Sequence, residues 1–246
     1  MSITDQLLAL RRRPDQRVAM LQSWRDLLFL HRRVDPDALR KLIPKGLELD
    51  LWEGEAWIGL VPFRMEGIRP AKLPAVPWLS AFPETNVRTY VTRNGQPGVW
   101  FFSLEAARWA ACAFARTFYS LPYHHAMMQT SRVGDELRYA SRRARDFRAM
   151  VQIEAQVTGD PAPAAPGTFD FWLVERYLLY AERRGKLFSG RVFHDPYSIA
   201  PARVSLCEQT LTDPWVPAGE WEHVCVSYGV DVEVFPISRV QDTTLG

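Results

Sequence analysis

The stretch NVRTYVTRNGQPGVWFFSLEA, Asn86 to Ala106, decides the fold. Its centre, Asn94-Gly95, is a strong hairpin signal, because both residue types accept positive φ at low steric cost. Before the turn, period-two alternation puts Asn86, Arg88 and Tyr90 on one face and Val87, Thr89 and Val91 on the other. After it, VWFFSLEA (Val99–Ala106) is aromatic on both faces, so neither face of the hairpin is simply wet. Arg88 then has two readings: it faces an internal cavity, or it faces solvent.

Working outward, the same pattern of short apolar runs and turn residues fills most of the chain. WRDLLFLHRRV (Trp24–Val34) reads as a strand, followed by Asp35-Pro36-Asp37 opening a short helix to Ile43. LELDLW and AWIGLVPFRM flank Glu53-Gly54-Glu55 as a hairpin. One interior helix is expected from about Ala106 to Tyr119, then strands in HAMMQTSR, ELRYASRRA and FRAMVQIEAQV. Gly159–Thr168 is a small-residue loop, beyond which FDFWLVERYLLYAE, KLFSGRVFHD, ARVSLCEQTL, HVCVSYG and VDVEVFP read as further strands. Many short strands, few helices and hairpin-type turns predict a mostly antiparallel α+β architecture, a closed or nearly closed barrel. We expect an N-terminal arm, residues 1–23, peripheral to one domain spanning residues 24–246.

Composition excludes several function classes. A net charge of +2 gives no pull toward nucleic acid or anionic lipid. No apolar stretch reaches the roughly 18 residues of a membrane helix. The Arg11-Arg12-Arg13 triplet reads as a solvated helix end. Cys112, Cys207 and Cys225 are odd in number and far apart, which argues for free thiols in a cytoplasmic protein. The five histidines lack metal-ligand spacing, and glycine-rich phosphate loops and nucleophile elbows are missing, so no metal or cofactor is expected. Aromatic residues make up 12% of the chain, with nine tryptophans, and call for a wide core or a lined cavity.

Four constellations carry candidate chemistry. On the helix, Arg116 shares a face with Trp109, Cys112 and Ala113; turned inward, it needs either an internal carboxylate such as Glu105 or Glu175, or an anionic ligand. Arg88 and Asn86 form the second. The third is LPYHHA, where the Leu-Pro step fixes an extended turn that holds Tyr123 and His124 just past the helix, near Tyr119. A histidine there is either a proton shuttle or a satisfied core residue. In VERYLLY, Glu175 is the preferred carboxylate for Arg116 or Arg88.

Taken together, NVRTYV, GVWFFSLEA, ARTFYSLPYHHA, FWLVERYLLY and GRVFHDPY resemble the YqjF-like bacterial family, a domain of unknown function in the acetoacetate decarboxylase-like superfamily. The resemblance runs from about Trp24 to Pro236. It implies a cone-shaped, mostly antiparallel β-barrel whose interior is a ligand pocket. Decarboxylases of that superfamily use a buried Schiff-base lysine just after a proline. The matching positions here are Tyr123 and His124, and Phe114–Arg132 contains no lysine. The pocket is therefore expected without the amine chemistry. Arg88, Arg116, Tyr119, Asn86, Glu105 and Glu175 are expected to bind a small carboxylate or carbonyl compound, with Tyr123 and His124 as catalytic candidates. Three readings stay open: an enzyme using acid–base chemistry, a non-catalytic binding or sensor protein, or a barrel whose pocket is vestigial and filled; homo-oligomerisation is also left open.

Overall fold

The computed structural model describes residues 2–76 and 80–241. Its first half contains α1 (Ile3–Leu10), β1 (Met20–Val34), α2 (Pro36–Arg40), β2 (Glu48–Leu49), β3 (Ala56–Pro70), β4 (Phe82–Arg93) and β5 (Gln96–Ala106). Then follow α3 (Trp109–Tyr119), β6 (Tyr123–Val133), β7 (Glu136–Arg143), β8 (Met150–Val157) and β9 (Ala162–Pro163). The chain ends with α4 (Phe169–Val174), β10 (Leu178–Arg183), β11 (Lys186–His194), β12 (Ser198–Gln209), β13 (His223–Val234) and β14 (Ser238–Arg239).

The β4–β5 hairpin forms as read, with Asn94 at φ 51° and Gly95 at φ 71°. α3 is the longest described helix, and it stops at Ser120 in the left-handed region before Leu121-Pro122. Asp35 caps α2, accepting from the Asp37 N–H, but the helix ends at Arg40. Glu53-Gly54 makes a turn closed by a single Trp52–Glu55 bridge; β2 pairs with β4 rather than β3. FDFWLV is not a strand but α4: Thr168 accepts from the Phe171 N–H, and Phe171 to Val174 are all buried. A good cap and burial on every side override the aromatic run's strand preference.

Strand pairing is antiparallel except at β5–β6 and β5–β10. Two pairings return the sheet on itself. β4–β5 closes a circuit through β6, β7, β8, β12, β13, β1 and β3, and β11–β13 closes a second through β10, β5, β4, β3 and β1. Strands β13, β1, β3, β4 and β5 belong to both. Their side chains alternate between two cores: Leu28, Leu30, Ile58, Leu60 and Val87 join the first, while Phe29, Trp57, Val61, Tyr90 and Cys225 join the second.

Paired irregularities keep this alternation useful along bent strands. Asp26 in β1 has φ 51°, and Gly229, opposite Arg25 on β13, has φ 144°. Each shifts the face parity by one residue, so Trp24 and Phe29, like Cys225 and Val230, pack into the same core. Only glycine fits at 229, where a Cβ would stand 2.4 Å from the Trp24 carbonyl oxygen.

The N-terminal stretch is docked rather than peripheral, and Met20–Ser23 already belongs to β1. Leu7 of α1 is fully buried, and Arg191 donates to the carbonyls of Leu10 and Arg12. Arg11 and Arg13 are not a free helix end: they pair with Glu175 at 3.7 Å and Glu233 at 2.6 Å.

Candidate functional site

The second core contains an unusual density of polar groups. β4 lines it with Glu84, Asn86, Arg88 and Tyr90, the face that alternation assigns. Arg88 lies over the rings of Phe29 (5.4 Å) and Tyr90 (5.7 Å), and its Nη2 is 3.4 Å from the Tyr90 hydroxyl. No carboxylate of the described residues comes within ion-pair distance of it, and its buried Nε has no partner. A half-buried guanidinium between aromatic rings and without a counter-charge has hydrogen-bond donors left over.

Around Arg88 stand residues that sequence reading did not single out. His31 on β1 is fully buried, with Nε2 2.6 Å from the Tyr90 hydroxyl. Burial, then the nearby Arg88, hold its pKa well below the ordinary imidazole value, so the ring is neutral. Gly59 permits this packing: a Cβ there would sit 3.0 Å from His31 Cδ2 and 3.4 Å from Arg88 Cγ. His223 on β13 lies 5.7 Å from His31 between ring centroids, and its Nε2 is 2.6 Å from Asp170. Arg176 is sandwiched between Tyr90 and Trp172 and neutralised by buried Asp50, which also accepts from Trp172 Nε1.

The expected convergence of Arg88, Arg116, Tyr123, His124 and Glu175 on one cavity is not what the structure holds. Arg116 points outward, its Nη1 3.4 Å from the Tyr123 carbonyl oxygen, and Trp109 on the same stripe is 63% exposed. The stripe of α3 that meets the second core is instead Ala111, Cys112 and Tyr119, rotated from the one the spacing suggested. Tyr119 donates to the Met20 sulfur at 3.4 Å. Glu105 is fully buried but lies on the opposite face of β5, paired with Arg143 and accepting from Ser103. His124, in register with Glu105, shares that neighbourhood, and burial with Arg143 nearby lowers its pKa to about 4. Glu175 faces the second core, yet its partners are the Tyr177 hydroxyl, the Tyr197 N–H and Arg11, not Arg88.

Tyr123 does reach the interior. Its hydroxyl donates to Glu84 at 2.9 Å, and the Glu84 carboxyl, 3% exposed, is pushed up to about 8 by burial. Asn86 beside it is buried with Oδ1 unpartnered. All four lysines, Lys41, Lys45, Lys72 and Lys186, are exposed. No group of three or more metal-ligating side chains occurs among the described residues. No helix among them is long and apolar enough to cross a membrane. An open groove of about 460 Å³ lies elsewhere, on the outer face of β6–β8 beside His125, Met127 and Arg142.

The DUF2071 family, described as an uncharacterized conserved protein, matches residues 21–231. The chain belongs to this family. A DUF2071 relative, "Uncharacterized protein YqjF" of Bacillus subtilis, is 42% identical over 200 residues, covering 81% of this chain and 83% of the relative. Among solved structures, the enduracididine biosynthesis enzyme MppR complexed with pyruvate superposes with a TM-score of 0.66 at 16% identity, covering 94% of this chain and 93% of that one. Acetoacetate decarboxylase from Legionella pneumophila gives a TM-score of 0.65 at 13% identity, covering 99% and 97%. At these identities the likeness is one of fold: this DUF2071 chain has the acetoacetate decarboxylase-like architecture.

Proposed function

We propose that this DUF2071 protein binds a small organic anion, a carboxylate or carbonyl-containing acid, on Arg88 inside the second core, without forming a Schiff base. The observation that carries the reading is the Arg88 guanidinium, enclosed by Phe29 and Tyr90 and without a carboxylate partner among the described residues. A half-buried guanidinium that has lost part of its hydration and has no counter-charge is stabilised by an anionic ligand. Two further facts support it. Every lysine is exposed, which leaves no buried amine for a carbonyl adduct. The similar fold of MppR is described in complex with pyruvate, a small carboxylate. In this reading the two closed pairing circuits are β-barrels sharing a wall, together the cone, and the ligand enters the barrel lined by β4, β1 and β13. The three free cysteines fit a reducing cytoplasm.

The test is a thermal-shift screen of small carboxylic acids. A ligand at a hundredfold excess over its Kd adds about 2.7 kcal/mol, or roughly 5–10 °C for a chain of this size. The shift should vanish in Arg88→Met while the unliganded protein keeps its cooperative transition. An acid that stabilises both proteins equally binds elsewhere, and the reading fails.

A further inference from the structure

The hydrogen-bond network fixes which nitrogen of each interior histidine carries its proton. Asp170 accepts from His223 Nε2 at 2.6 Å, and this bond holds its carboxyl below the usual range, hence ionised. A carboxylate can only accept, so the hydrogen sits on His223 Nε2 and, in the neutral ring, Nδ1 offers a lone pair. The Tyr90 hydroxyl takes a bond from Arg88 and, among the described residues, has no acceptor other than His31 Nε2. Its hydrogen therefore points at His31 Nε2, which leaves the His31 proton on Nδ1. Both Nδ1 atoms are buried and unpartnered, on rings 5.7 Å apart. One is a base and the other a donor, on neighbouring rings in the core that also holds the Arg88 guanidinium.

We infer that His223 Nδ1 and His31 Nδ1–H form an acid–base pair that enolises a 2-oxo acid held by its carboxylate on Arg88. This rests on Arg88 as the anion site. Arg88 Nη2 (3.4 Å) and His31 Nε2 (2.6 Å) both reach the Tyr90 hydroxyl, so the guanidinium and the His31 ring lie one hydroxyl apart, and carboxylate and carbonyl of the ligand must be close neighbours, as in a 2-oxo acid. In the step, the proton on the carbon next to the carbonyl moves to His223 Nδ1. The C–H electron pair becomes the carbon–carbon double bond, and the carbonyl π pair moves onto oxygen, which accepts from His31 Nδ1–H. The imidazolium so formed faces the Asp170 carboxylate. The reverse step returns a proton to carbon, so no oxidant or partner substrate is required. Asp170 is a positioning residue, with its side chain 48% exposed, whereas His31 is sealed from solvent.

The experiment follows hydrogen–deuterium exchange at C3 of pyruvate, 2-oxobutyrate and 2-oxoglutarate in D2O by proton NMR, with thermal shifts measured in parallel. The wild-type chain should exchange at least one of them in a saturable manner. His223→Gln should slow exchange on the order of 100-fold, the usual contribution of a positioned base, while keeping the thermal shift. Asp170→Asn, at a half-exposed position, turns the imidazole to the other tautomer and should lower kcat for exchange with KM unchanged. An acid whose thermal shift depends on Arg88 but whose C3 hydrogens do not exchange overturns this inference and leaves the binding reading intact. Exchange unchanged in His223→Gln overturns it too. If none of the three acids shifts the transition, this inference falls, and the binding reading is then decided by the wider carboxylic-acid screen alone.

Discussion

Glu84→Gln is the most quantitative perturbation this interior offers. Glu84 is 3% exposed, accepts from Tyr123, and makes no ion pair with a described basic residue, so burial pushes its carboxyl from 4.5 to about 8. Below pH 4.5 the carboxyl is protonated folded and unfolded alike. Between 4.5 and about 8 the unfolded chain ionises while the native state keeps the proton, so native stability falls as pH rises through this window and levels off above it. The slope approaches 1.4 kcal/mol per pH unit, giving a loss of about 3 kcal/mol between pH 5 and pH 8. Glutamine keeps the shape and the acceptor for Tyr123 but cannot ionise. Urea unfolding followed by tryptophan fluorescence, repeated across that range, should show the stability gap between Glu84→Gln and wild type widening in favour of the variant by about that amount. Parallel pH profiles for the two proteins would refute the buried, protonated Glu84.

Two further outcomes follow from the fold and the lysines. Leu7→Ala should cost about 2–5 kcal/mol, since it empties a fully buried position in α1, and a truncation starting at Leu10 should lose at least as much; a melting transition unchanged by either would show the arm to be undocked. Borohydride added with acetoacetate should leave the mass of the protein unchanged, because every lysine is exposed and none lies in the interior beside Arg88; intact-mass spectrometry showing an adduct at one lysine would reverse that conclusion.

What could be read from sequence was whatever local chemistry decides. Asn94-Gly95 marks its turn, Asp35-Pro36 starts its helix, and the alternation of β4 put Arg88 and Asn86 on one face without deciding whether that face met solvent or the interior. Arg116 was misplaced because α3 is apolar over most of its circumference. Helical spacing alone cannot choose between the Trp109–Arg116 stripe and the Ala111–Cys112–Tyr119 stripe that packs. Glu105 and Glu175 were expected as the carboxylates for Arg116 or Arg88, and neither pairs with them. Their actual partners, Arg143 and Arg11, lie 38 residues downstream on β7 and in the N-terminal stretch, pairings no local pattern specifies. His31 and His223 went unremarked because each sits near the end of an ordinary apolar strand; only the β1–β13 register sets them opposite each other. Tyr90 and Glu84 carried one available signal, the polar stripe they continue along β4.

The wall common to both cores has consequences for how a DUF2071 protein can diverge. On β4, Val87 and Val91 point into one core and Glu84, Asn86, Arg88 and Tyr90 into the other. Even-numbered and odd-numbered positions of the same twelve residues thus answer to different selective pressures. Exchanges among the polar set retune what the interior recognises while the valines go on holding the sheet, so ligand preference can drift by single substitutions without passing through an unstable intermediate. The cost is an intolerance of insertions: one added residue in β4 would swap the two sets, driving four polar side chains into an aliphatic core. Relatives should therefore vary freely in the identity of these residues and almost never in the length of this strand.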